Sequence, residues 1–162
     1  MDIRSTQVKD WMLLKQIRLA ALQDAPTAFG VTYQTAADYS DEQWQTRAAS
    51  NGTQFWLAFE GDRAVGMIGA AASNANRYNL IGMWVEPAAR GSSAATRLVG
   101  AVKARAMERG FDRVFLDVSP DNARASNFYL KQGFVYLDEW EPLESHPHIR
   151  VQTMLWVGDS QC

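Results

Sequence analysis

The sequence predicts one α/β domain with a mixed sheet, and three observations predict it. Seven short apolar segments have strand chemistry, four longer ones carry apolar residues at helical spacing, and glycines punctuate them. A length of 162 residues suits a single domain, residues 1–162, with a proper buried core.

Asp2 to Ser5 reads as a short first strand. Asp10 is placed to cap a helix with Leu14, Ile17 and Ala21 on one face, which stops before Pro26. Ser40, followed three residues later by Gln43, has capping-box spacing and opens a second helix. Between them, APTAFGVTYQTAADY reads as a loop, though one too apolar to be purely solvated. TQFWLAFE and RAVGMIGAAAS are strands joined at Gly61-Asp62, and YNLIGMWVEP pairs back after a turn at Ser73–Asn76. A third helix runs from about Ser93 to Arg109, with Ala95, Leu98, Val99, Val102 and Ala106 at helical spacing, and Gly110 stops it. RVFLDVS is a strand, NARASNFYLKQ a helix ended by Gly133, and FVYLDEW and RVQTMLWV are the final strands. The order β-α-α-β-β-β-α-β-α-β-β puts a meander first and two crossover helices after it.

Composition narrows the function. With 47% hydrophobic and 21% charged residues and a net charge of −2, the chain is not held to nucleic acid by bulk electrostatics. The single cysteine, Cys162, excludes an intrachain disulfide and fits a reducing compartment. The start MDIRSTQVKDWMLL lacks a basic region followed by a sustained apolar stretch, and no apolar run approaches the ~20 residues that span a bilayer. A cytoplasmic protein, free of membrane, is the expectation. His146 and His148 beside Pro147 have no metal-ligand partners by spacing, so a loop pair and no metal are expected.

The junction VEPAARGSSAAT points to a phosphate. A strand ends at Val85, and Gly91, Ser92, Ser93, Ala94 and Ala95 then bring no bulky side chain to the mouth of a helix. Helix N-termini carry unpaired N–H groups and partial positive charge, small residues admit an anion close to the backbone, and Arg90 adds a charged donor. A plain strand–turn–helix connection explains the loop equally well. It is neither a P-loop nor a dinucleotide fingerprint, for it lacks Gly-Lys-Ser/Thr and Gly-x-Gly. Further on, Asn122, Ala125 and Tyr129 fall at i, i+3 and i+7 and share one helix face.

Together these segments resemble the GNAT superfamily of N-acetyltransferases. MWVEPAARGSSAATRLV resembles its pyrophosphate loop, Arg/Gln-x-x-Gly-x-Gly/Ala, with Arg90 and Ala95 in place and Ser93 replacing the central glycine. A serine forced to positive φ there would cost of order 1 kcal/mol. LDVSPDNARASNFYLKQGFVYL resembles the second motif, with Asn122, Ala125, Phe128, Tyr129, Gly133 and Phe134 all matching. The resemblance implies an α+β fold with a mostly antiparallel central sheet of about seven strands flanked by about four helices. It implies acetyl-CoA as co-substrate, held by Met83, Trp84, Val85, Arg90 to Thr96, Asn122, Ala125 and Tyr129, and it leaves room for a homodimer.

The implied reaction is transfer of acetyl to an amine by direct attack. A lysine-like amine at pH 7 is mostly protonated, a handicap near 4.6 kcal/mol, so a proton acceptor is needed. A backbone N–H within Met83 to Val85 would face the carbonyl oxygen, by family analogy. Tyr129 is the candidate to stabilise the departing thiolate, with a packed core tyrosine as the competing reading. Asp117, inside a strand expected to be covered by helices and five residues before Asn122, is the candidate base, with a structural hydrogen-bonding role equally open. Glu139, Glu141 and Glu144 could attract a cationic amine or be rim charges. The AFG stretch resembles a bacterial branch acting on small molecules, which favours a small-molecule amine. A protein Nα or lysine acceptor, or a non-catalytic acyl-CoA sensor, are the alternatives.

Overall fold

Gly61 makes a tight turn between two strands. It takes φ +61 and lets Glu60 and Arg63 pair across a two-residue hairpin. The computed structural model describes residues 1–49, 52–73 and 76–158. Cys162 and the centre of the expected Ser73–Asn76 turn lie outside them.

In chain order the elements are β1 (Asp2–Ser5), α1 (Trp11–Asp24), α2 (Tyr33–Ala37), α3 (Asp41–Ala48), β2 (Gln54–Glu60), β3 (Arg63–Ala72) and β4 (Tyr78–Val85). Then follow α4 (Ala94–Glu108), β5 (Arg113–Val118), α5 (Ala123–Lys131), β6 (Val135–Leu143) and β7 (His146–Val157). The strands form one mixed sheet in the order β1-β2-β3-β4-β5-β7-β6, antiparallel except where β4 meets β5. Two cores cover its faces. Leu14, Ile17, Ala21 and Trp44 pack on Phe55, Leu57 and Met67 on one side. Leu98, Val99 and Val102 of α4, with Tyr129 and Phe134, pack on Val114, Leu116 and Val118 on the other.

Three expectations need correction. The apolar connection between α1 and α3 contains α2, capped by Thr32, whose hydroxyl accepts the Thr35 amide at 3.2 Å. Asp10 precedes α1 but does not cap it with its side chain; its carboxylate accepts the Gln7 amide at 2.8 Å and pairs with Arg4 at 2.9 Å. The last two strands are longer than expected, so His146 and His148 lie in β7 rather than a loop.

The sheet opens in its middle. β4 and β5 share a single register pair, Asn79 with Phe115, whereas β5 and β7 pair from Arg113 to Val118. Beyond Asn79 the two parallel strands diverge, and their C-terminal halves become the walls of a cleft. On β4 the register against β3 slips between Met67 and Gly69, which leaves Gly82 and Met83 opposite Ile68. Gly82 takes φ +59 at this bulge.

Candidate active site

At the end of β4 the Glu86 amide bonds the Val65 carbonyl at 2.8 Å, Pro87–Ala89 make one turn of 3₁₀ helix, and the chain bends at Gly91. Gly91 takes φ +87, and a side chain there would meet nothing within 4 Å. Ser93 sits at φ −77, so the replaced glycine brings no strain; the left-handed residue of this loop is Gly91. The Ser92 hydroxyl donates to the Ala89 carbonyl at 2.6 Å and receives the Ala94 amide at 3.3 Å. Among the described residues the amides of Gly91, Ser93, Ala95 and Thr96 have no hydrogen-bond partner. These are the free donors a helix mouth offers to an anion.

Arg90 is occupied differently from the sequence expectation of a free charged donor. Its Nε donates to the Val85 carbonyl and its Nη2 to Asp24, both at 2.9 Å. Asp24 also accepts from the Trp84 indole at 3.0 Å. These bonds, from Trp84 and then Arg90, hold the Asp24 carboxyl below its ordinary pKa. The side chain of Arg90 therefore braces the loop against α1, and the anion-facing donors are main chain.

A cleft of about 780 Å³ lies here, walled by Met83, Trp84, Val85, Arg90, Gly91, Ser92, Ala95, Asn122 and Ala125 from the expected set. Asp24, Phe29, Arg124 and Phe128 complete it. Ser93, Ala94 and Thr96 do not line it, and Ala94 is buried beneath the loop. Asn122 caps α5, accepting the Ala125 amide at 3.4 Å. Tyr129 is 7% exposed and packs edge-on against Phe128 and Phe134 at 5.4 and 5.7 Å. Burial pushes its phenol pKa well up.

A second groove of about 850 Å³ shares Met83, Asn122 and Ala125 with the first and adds Tyr129, Asp117, Arg18 and the β6–β7 turn. Asp117 is exposed, contrary to the expectation of cover by helices. Helices pack against Val114, Leu116 and Val118, the opposite face of β5, and none shields Asp117. Its carboxylate accepts the Thr153 hydroxyl at 2.7 Å. Glu139 is drawn away to Arg77, at 2.8 Å, while Glu141 and Glu144 line the groove. A latch lies at the edge of the groove: the Ser145 hydroxyl donates to the Phe29 carbonyl at 2.7 Å and also contacts His146 Nδ1 at 2.8 Å. At the same junction Gly30 approaches the Glu144 side chain, where an added Cβ would lie 3.9 Å from the Glu144 Cβ. Among the described residues no cluster of His, Cys, Asp and Glu could hold a metal ion, and no helix is long and apolar enough to cross a membrane.

The cleft in a splayed seven-stranded sheet, with unpaired amides at its helix mouth, is built to hold an anionic ligand. The acetyltransferase (GNAT) family model matches residues 18–134, and the chain belongs to that family. Among solved structures, an acetyltransferase of the GNAT family from Streptococcus pneumoniae superposes with a TM-score of 0.78 at 20% identity, over 98% of this chain and 99% of that one. A ribosomal-protein-alanine N-acetyltransferase from Brucella melitensis gives 0.76 at 17% identity, over 97% and 99%. The PaiA N-acetyltransferase from Thermoplasma acidophilum, in complex with coenzyme A, gives 0.69 at 19% identity, over 97% and 99%. No curated protein sequence matches the chain.

The residues present fit acetyl-CoA as co-substrate. The unpaired amides of Gly91 and Ala95, which line the cleft, suit its diphosphate, with those of Ser93 and Thr96 on the adjoining rim, and the small side chains of Gly91, Ser92, Ala95 and Ala125 leave room beside them. Three residues that border or brace the two grooves leave little or no mark in the sequence: Asp24, Ser145 and Arg18. Asp24 did leave a signal, since an acid ending a helix opposes the helix dipole and calls for a side-chain partner. Ser145 left none, because its partner lies 116 residues away.

Proposed function

We propose that the chain moves the acetyl group of acetyl-CoA to the primary amine of a small molecule, as a cytoplasmic enzyme spanning residues 1–162. The observation that carries the choice of acceptor is the latch between Ser145 and Phe29, which ties the α1–α2 loop to the β6–β7 turn. A polypeptide acceptor needs the two segments that flank that groove to part, and here a hydrogen bond ties them together at its edge.

The residues divide the work as follows. The amides of Gly91, Ser93, Ala95 and Thr96 receive the diphosphate, and a main-chain N–H within Met83–Val85 faces the thioester oxygen as it gains charge. Asp117, open to solvent, takes through water the proton that the attacking amine loses. Tyr129 hydrogen-bonds the sulfur as its bond to the acetyl carbon breaks. Proton transfer from an unperturbed phenol to a thiolate is already uphill by about 2 kcal/mol, and burial makes Tyr129 harder to ionise, so it donates a hydrogen bond and keeps its proton. The unstrained Ser93 removes one reason to read the fold as a non-catalytic sensor.

Thiol release from acetyl-CoA, measured with a panel of small primary amines and of short peptides bearing free N-termini or lysines, tests the reading. Small amines should support turnover and peptides should not. Faster release with peptides would make a protein the acceptor, and binding of acetyl-CoA without release by any amine would make the chain a sensor.

A further inference from the structure

Arg18 is the exception among the arginines that border grooves. Arg90 is paired with Asp24, and Arg47 and Arg124 make no ion pair, but among the described residues only Arg18 has a buried guanidinium nitrogen without a partner, and it makes no hydrogen bond or ion pair. Its Nη1 is sealed from bulk solvent within the protein and has no partner. The guanidinium lies 5.3 Å from the centre of the Phe29 ring, and it borders both the second groove and a smaller cavity behind it. It is pressed against the β4 bulge, where a Cβ on Gly82 would lie 2.7 Å from Nη1. Among the described residues the one charged side chain that acts on it is another cation, Arg47, itself seated 4.0 Å over the Tyr39 ring. Burial lowers the Arg18 pKa, opposed in part by Tyr39 and reinforced to a lesser degree by the charge of Arg47.

A largely enclosed guanidinium with an unpaired N–H is costly unless something completes it. Nothing among the described residues does so, and Arg18 is the one cation that lines the groove that would take the acceptor. We propose that Arg18 binds a carboxylate carried by the acceptor, so that the substrate is an amino-carboxylate. The inference rests on the acetyl-transfer reading above and names its substrate class. Guanidinium and carboxylate match as planar, charge-assisted partners. One unpaired cation answers one negative charge, and the acids Asp117, Glu141 and Glu144 on the same groove suit the ammonium of the same molecule.

The test uses the proteinogenic L-amino acids with β-alanine and γ-aminobutyrate, each beside its carboxamide, plus O-phosphoethanolamine. Melting of the coenzyme-A-loaded protein reads binding, and thiol release from acetyl-CoA reads kcat and KM. At least one free acid should stabilise the protein and turn over while its carboxamide does neither. In Arg18→Gln the KM for that acid should rise about 10- to 100-fold with a smaller change in kcat, and Arg18→Lys should recover only part. Stabilisation by acetyl-CoA should persist in both variants and reports that they fold. The wild-type comparison of acid with carboxamide needs no variant at all. Equal use of acids and carboxamides, preference for O-phosphoethanolamine, an unchanged KM in Arg18→Gln, or binding of no acid would each overturn the assignment. Turnover of carboxylate-free amines alone would overturn it and leave acetyl transfer standing. Arg18-dependent binding of an acid without thiol release would do the reverse.

Discussion

Near α4 the cleft is walled by main chain and by residues as small as Gly91, Ser92 and Ala95, all from one stretch of sequence. Near the β6–β7 turn it is walled by side chains from α1, the α1–α2 loop, β5 and β6, brought together by contacts such as Ser145 with Phe29. The first end presents donors common to every peptide unit and asks the sequence only to keep bulk away. The second presents particular charges, Arg18, Asp117, Glu141 and Glu144, whose meaning depends on what stands opposite. A site made from backbone is general and suits an invariant co-substrate; a site made from distant side chains is specific and suits the variable one.

The largest expected effect lies where the two ends meet. Ala125 borders both grooves, so Ala125→Phe fills their junction. Wild-type protein at acetyl-CoA one hundred times the dissociation constant gains ~2.7 kcal/mol of stability. The variant should gain none in a thermal-shift titration while its unliganded melting stays close to wild type. Next comes Tyr129→Phe, which removes one donor to a developing negative charge. It should lower kcat about 10- to 100-fold with acetyl-CoA affinity unchanged. Because burial raises the Tyr129 pKa, the phenol stays protonated, and wild-type kcat should show no loss from its ionisation up to pH 10.

Asp10 belongs to neither end and serves as the contrast. Burial alone would raise its pKa, but the Arg4 and Gln7 hydrogen bonds outweigh it and the net shift is downward. A depressed folded-state pKa gives stability that is complete above the unfolded value near 3.9 and is lost as pH falls through the folded one. Asp10→Asn should cost about 1–2 kcal/mol at pH 7 in urea denaturation, discounted because Arg4 is half in solvent, and the gap to wild type should close as pH falls through the depressed folded-state pKa. Turnover per folded molecule should not change. The smallest effect is expected from Ser145→Ala, which opens the latch. The KM for small amines should rise about 2- to 5-fold, and the disadvantage of peptide acceptors should shrink.

The same contrast governs how much the sequence reveals. α4 and α5 were legible because apolar spacing, Gly110 and Gly133 are local signals, and the loop before α4 because small residues follow one another directly. α2 was not, since five residues are too few to show a helical period. Both faces of β5 were sorted correctly by alternation, yet alternation is silent on which face helices cover, and Asp117 proved exposed. Arg90 was singled out by motif, but its tie to Asp24, 66 residues away, is a property of the fold. Arg18 drew no notice because its meaning lies in a missing partner, and absence leaves no pattern in a sequence.

A crystal structure with coenzyme A bound tests the central claim most directly. The account predicts the diphosphate within hydrogen-bond distance of the amides of Gly91, Ser93, Ala95 and Thr96, and the sulfur beside the Tyr129 hydroxyl with the second groove opening beyond it. A coenzyme lying elsewhere on the sheet, or a sulfur pointing away from Tyr129 and that groove, would contradict it.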